Sequence, residues 1–205
     1  MESCASVTCP TADTISPTAV EVPTAFTYDS SLAKFNFPLR KYLKISDLQG
    51  VIVGAYVFDE AGRLLIVQRA ESDSMPLRWE IPGGGVDEED ESLLHATVRE
   101  LWEESGLRAQ HVHELVGEGY KFLSRRSQNR YCRYCFIIHV DGYDVKLDPK
   151  EHQAYLWVTE EEAMAKKCGD VDFVYTTRNQ EESIPVAFKL YKKRMRAPSS
   201  VESQT

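Results

Sequence analysis

"GGGVDEEDESLLHATVRELWEESGL", residues 83–107, places eight carboxylates and one arginine between a run of glycines and a final Gly-Leu. From Ser92 to Ser105 there is no proline or glycine, and Leu94, Val98 and Leu101 recur at helical spacing, so the segment reads as a helix with one apolar stripe. Gly106 stands where a left-handed C-terminal cap is needed. On that helix Glu100, Glu103 and Glu104 are three and four residues apart and share one face. On a solvated face each such pair costs only about 0.2–0.5 kcal/mol. Lining a concave site of effective dielectric near 20, two charges about 5 Å apart repel by about 3 kcal/mol, and the cluster then needs a cation. A hard dication with oxygen ligands, Mg2+ first, supplies that balance. The Gly83-Gly84-Gly85 run offers backbone groups beside it for an anionic substrate, and Arg99 can hold a carboxylate with a forked contact.

The rest of the chain sets the context. With 205 residues and 42% hydrophobic content, one core is expected rather than two. A net charge of -8 and a pI near 5.2 argue against a nucleic-acid polymer as partner, and leave room for a small anionic substrate where a metal ion or a local basic loop receives it. No apolar run approaches the roughly 20 residues of a membrane span, and the start "MESCASVTCPTADTISPTAVEVPTA" lacks the features of a secretory signal, so a cytoplasmic monomer or homodimer is expected. Five scattered cysteines suit reduced thiols. The pair Cys132 and Cys135 reads as one core and one exposed strand position rather than half a zinc site, and His111 and His113 as outward strand positions rather than metal ligands.

Residues 1–24 are poor in large side chains and read as a disordered tail, as do 197–205. Residues 25–48 carry Phe26, Tyr28, Phe35, Phe37 and Tyr42 and form an aromatic extension that packs on its own domain, with a substrate lid or dimer arm as the alternative. Residues 49–196 make the main domain. "GVIVGAYVF" and "RLLIVQR" form a hairpin, "RWEIP" a short strand, and further strands fall at 109–116, 117–123, 131–140 and 153–158. Thr159 and Glu162 make a capping box, and a last helix begins around Ser183 with Pro185 in its first turn. The order indicates an α+β fold.

Gly85, Glu91, Arg99-Glu100-Leu101, Glu103-Glu104 and Gly106-Leu107 stand at the spacing of the complete Nudix box, and the chain resembles the Nudix hydrolases over about residues 50–195. "WEIPGG" and "EHQAYLWVTEEEA" look like that fold's flanking strands. The resemblance implies a β-sheet sandwich flanked by the box helix and C-terminal helices. It also implies Mg2+- or Mn2+-dependent hydrolysis of a diphosphate linkage in a nucleoside diphosphate-X substrate. Carried onto this chain, Glu100, Glu103 and Glu104 hold metal with the Gly84 carbonyl, while Arg99 and Glu91 orient the cluster. Glu103 is the first choice for general base and Glu151 the alternative.

Outside the box the substrate is less legible. "LSRRSQNRYCR" brings Arg125, Arg126, Arg130 and Arg133 into an acidic protein, either to take outer phosphates with Gly83–Gly85 or as a solvated hairpin tip. Trp79 and Trp157 read as core. A non-nucleotide substrate such as an isoprenyl diphosphate, and a silent Nudix-fold binding module, remain as alternatives; the intact set of box carboxylates counts against the module.

Overall fold

The computed structural model describes residues 25–124 and 127–196, so the expected tails and the pair Arg125 and Arg126 lie outside the described residues. In chain order come β1 (Thr27–Tyr28), a 3-10 turn (Ser30–Phe35), α1 (Leu39–Ile45), β2 (Gly50–Val57), β3 (Leu64–Arg69) and β4 (Trp79–Glu80). Then follow α2 (Leu93–Ser105), β5 (Ala109–Leu115), β6 (Tyr120–Leu123), β7 (Arg130–Val140) and β8 (His152–Val158). The last elements are α3 (Glu160–Ala165), β9 (Lys167–Cys168), β10 (Val171–Asp172) and α4 (Arg178–Arg196).

One sheet runs β1-β5-β7-β2 with β6 added to β7; β2 and β7 are parallel, and β5 and β7 antiparallel. A second sheet runs β4-β3-β8. Successive strand side chains point to opposite faces. Thus Val51, Val53, Ala55 and Val57 of β2 enter one core and Tyr56 another, while β3 divides Leu65 and Val67 from Leu64 and Ile66. The first core is closed by Leu93, Leu94, Val98 and Leu101 of α2, and the second by Ile184, Ala187 and Phe188 of α4. Burial on both faces accounts for the nearly unbroken apolar runs in β2 and β3. The result is an α+β arrangement.

The aromatic segment is part of the first core. β1 pairs in parallel with β5, and Leu32, Phe35 and Leu39 are buried. The Phe35 ring centroid lies 5.1 Å from that of Tyr134 and 5.2 Å from that of Phe136. Leu32→Ala should therefore cost about 2–3 kcal/mol in denaturant unfolding; a loss within about 0.5 kcal/mol would show that the segment is only laid on the surface.

The last helix begins five residues earlier than expected, at Arg178 rather than Ser183. Thr177 starts it, its hydroxyl accepting from the Gln180 N–H at 3.2 Å. Pro185 sits inside the helix, where its missing N–H forgoes one backbone bond, and is no mark of the first turn.

Candidate active site

Ser92 caps α2, its hydroxyl accepting from the His95 N–H at 3.2 Å. Gly106 ends it at φ 67°, donating to the Trp102 carbonyl at 2.8 Å. Between these caps the three box glutamates take different environments. Glu104 is 5% exposed and accepts from the Gly83 N–H at 2.6 Å. Glu100 is mostly buried against Gly84, where a Cβ would stand 2.5 Å from Glu100 Oε2, so any larger residue there would have to displace the carboxylate. Glu103 is half exposed.

Arg99 is the hub. Its guanidinium donates to both oxygens of Asp90 at 2.9 Å, to Glu100 at 3.0 Å, to Glu103 at 2.9 Å and to the Gly85 carbonyl at 3.0 Å. Even so, burial pushes the Glu100 carboxyl up to about 7; the Glu103 and Glu151 charges push the same way, and Arg99 opposes them. Burial also raises Glu104 well above the usual carboxylate range, against the Gly83 hydrogen bond and with the charges of Glu80, Glu100 and Glu151 adding to it. Two buried carboxyls that hold their protons so tightly make a site short of positive charge.

The second sheet delivers the other wall. The Ala70 N–H donates to the Glu151 carbonyl at 2.8 Å, and Arg69 registers with His152 across a β-bulge. Glu104, Glu151 and His152 each offer a ligand atom, all within 4.8 Å of one another. Behind them Glu80, 3% exposed, pairs with Arg69, and His152 Nε2 stands 3.5 Å away. Burial pushes the Glu80 carboxyl up, but His152, Arg69 and Arg133 together hold it below its usual range. The donor set is carboxylate-rich, mutually repelling and closely backed by a glycine loop, which fits a hard divalent cation.

The family profile of the NUDIX domain matches residues 48–178, more than half of the chain. The chain belongs to the Nudix family. Among curated proteins it resembles a CTP pyrophosphohydrolase of Escherichia coli (strain K12), 39% identical over 113 residues, which are 55% of this chain and 78% of that protein. An RNA pyrophosphohydrolase of Rhizobium meliloti (strain 1021) is 33% identical over 102 residues, 43% of this chain and 59% of that one. Among solved structures, the MutT protein of Methanosarcina mazei Go1 is 25% identical with a TM-score of 0.52, over 72% of this chain and 96% of that chain. A NUDIX hydrolase of Nitrosomonas europaea shares the fold with a TM-score of 0.55 at 22% identity, covering 76% of this chain and 97% of that chain.

Within this Nudix domain, Arg99, Glu100, Glu103, Glu104, Gly83, Gly84, Gly85 and Glu151 converge on one region. Two sequence expectations need correction in their geometry. Glu91 does not reach Arg99: its side chain is 79% exposed and lies 3.4 Å from His95, while Asp90 makes the fork. Arg130 does not face the glutamates: it donates to Asp47 at 2.7 Å, and strand alternation puts it on the opposite face of β7 from Arg133. The Gly84 carbonyl accepts from the Val53 N–H at 2.9 Å, which leaves it one lone pair.

Three residues were not singled out in the sequence: Asp90, Glu80 and His152. A buried-strand carboxylate between Trp79 and Ile81 was a signal for Glu80. Arg133 stands in register with Ile52 and Tyr120, and Ile52 in turn with Gly85, so these share one face of the sheet beside the glycine loop. Among the described residues its Nε is buried without a hydrogen-bond partner. Tyr120, Phe122 and Tyr131 extend that face as a row of stacked rings, with centroids 5.7 and 5.8 Å apart.

Among the described residues no helix is long and apolar enough to cross a membrane.

Proposed function

We propose that this Nudix hydrolase cleaves a phosphoanhydride bond in a nucleoside diphosphate-X substrate, with Mg2+ (or Mn2+) as cofactor. The observation that carries the reading is the convergence of buried Glu100 and Glu104 with Glu103, Glu151 and the glycine loop around one undercharged region. Bound by these carboxylates, with the Gly84 carbonyl beside them, a divalent cation would neutralise phosphate oxygens and make water at the scissile phosphorus more acidic.

The chain's own residues do the rest. Arg99 keeps Glu100 and Glu103 in place. Of the two candidate bases, Glu151 is favoured. The Glu103 carboxylate is engaged by Arg99 at 2.9 Å, whereas the exposed Glu151 lies beside Glu104 and His152 with its carboxylate facing the same region. Arg133, with N–H groups to spare, suits an outer phosphate. The exposed Tyr120 at the end of the ring row suits a planar base. The pyrophosphohydrolase names of the relatives support the same class of substrate. The case for an isoprenyl tail rested on the N-terminal aromatics, and Phe35 is consumed by the core. A cytoplasmic location remains an expectation consistent with this substrate.

The test is a panel of nucleotides and isoprenyl diphosphates assayed for released phosphate or pyrophosphate. Turnover of a nucleotide should require Mg2+ and vanish in excess chelator; turnover that persists without metal would overturn the assignment. Arg133→Met should raise KM for that nucleotide about tenfold with a smaller change in kcat, as expected for loss of a charged contact worth about 1.5 kcal/mol. An unchanged KM would remove Arg133 from the substrate site.

A further inference from the structure

A second cluster of ligating side chains lies away from the glutamates, where the end of α4 meets the β1 edge of the larger sheet. His111 and His113 alternate on β5 and share a face, and their ring centroids are 4.5 Å apart. Asp29, directly after β1, places Oδ1 3.1 Å from His111 Nε2 and Oδ2 4.0 Å from His113 Nδ1. One ligand atom from each of the three residues falls within 4.8 Å of the others. The sequence reading treated the two histidines as outward positions, because Asp29 is 82 residues away from His111 and only the parallel β1-β5 pairing brings it there.

Thr27 Oγ1 lies 2.6 Å from His111 Nδ1 and 3.3 Å from the Gln110 carbonyl, and its single proton serves one or the other. With that proton on the Gln110 side, His111 Nδ1–H is the donor and Nε2 turns its lone pair to Asp29 Oδ1, 3.1 Å away, which is the tautomer that binds a metal ion. His113 Nδ1 points to the same place, buried and, among the described residues, without a hydrogen-bond partner. Arg194 donates to Asp29 Oδ2 at 2.9 Å, so one charge is already balanced and Oδ1 is the oxygen left for an ion.

We propose that Asp29, His111 and His113 form a site for a transition-metal dication such as Zn2+, distinct from the Mg2+ centre. Two imidazoles and one carboxylate suit that class of ion and not Mg2+. Thr27 acts as the outer partner that fixes the His111 tautomer, the role such hydrogen bonds play around metal-binding imidazoles. Bound there, the ion fastens the N-terminal segment to β5, and because the unfolded chain has no such site it raises the melting temperature by mass action.

The test uses the full chain in excess Mg2+, which occupies the catalytic carboxylates, with Zn2+ titrated by equilibrium dialysis and by thermal melts. The parent protein and Glu104→Gln should each bind one Zn2+ equivalent that Mg2+ does not displace, with a rise in melting temperature. His113→Ala and the nearly isosteric Asp29→Asn should bind that equivalent at least about tenfold more weakly and lose the rise, while melting cooperatively without Zn2+. A parent that binds no such equivalent, or variants that bind it as the parent does, would overturn the proposal. Loss of the equivalent in Glu104→Gln alone would assign the zinc to the catalytic carboxylates and overturn it too.

Discussion

Glu104→Gln should fold, melt higher than the parent protein in the absence of metal at pH 8, and lose at least about a hundredfold in turnover with Mg2+ present. The side-chain amide keeps an oxygen to accept from the Gly83 N–H, so the geometry of the loop survives. What disappears is a carboxylate that burial disfavours and that Glu80, Glu100 and Glu151 repel. The site thus trades stability for function, and removing the charge returns the first and abolishes the second. Glu104 shows this effect more strongly than Glu103, which is half exposed and has Arg99 as a partner. A variant that melts lower without metal and keeps its activity would mean the charge at Glu104 is neither strained nor needed.

Arg99→Met should destabilise the metal-free protein by about 3 kcal/mol or more, since truncating one partner of a largely buried ion-pair network leaves Asp90, Glu100 and Glu103 uncompensated. Mg2+ should recover part of the loss by standing in for the guanidinium charge. Glu91→Gln, although equally a member of the box, should change stability by no more than about 0.5 kcal/mol, because its carboxylate is exposed and, among the described residues, pairs only with His95. Denaturant unfolding with and without Mg2+ measures both. Equal effects of the two substitutions would show that Arg99 is not the hub.

The contrast between Arg99 and Glu91 marks how far the sequence reaches. The box helix, both of its caps and the shared face of three glutamates follow from local periodicity and need no tertiary information. The same holds for the Thr159 capping box and the strands that became β5, β7 and β8. Asp90 and Glu91 are adjacent carboxylates before the same helix, and only the path of the loop decides which one reaches Arg99. Glu80 and His152 meet because β4 and β8 both pair with β3, a contact between residues far apart in sequence. Arg130 and Arg133 carry the same charge in one basic stretch, but the odd spacing between them places them on opposite faces of β7.

The central claim is that buried carboxylates are held together, against their own ionisation, for a divalent cation. Glu100 gives the cleanest reading, through the difference in metal-free stability between Glu100→Gln and the parent at a series of pH values. Its folded pKa is raised, from 4.5 to about 7. The parent therefore keeps full stability from this group below about pH 4.5 and loses it as the pH climbs to 7, by about 3 kcal/mol in total. His113 is pushed down to about 4, by burial first and by the charges of Arg194 and His111, so it contributes stability that is lost in the opposite direction as the pH falls. Taking the difference between variant and parent cancels that contribution. The account predicts that Glu100→Gln gains on the parent between pH 4.5 and 7 and stays ahead above it, while Mg2+ narrows the gap at pH 8 far more than at pH 5. A difference that is flat with pH, and a Mg2+ effect equal at both values, would contradict it.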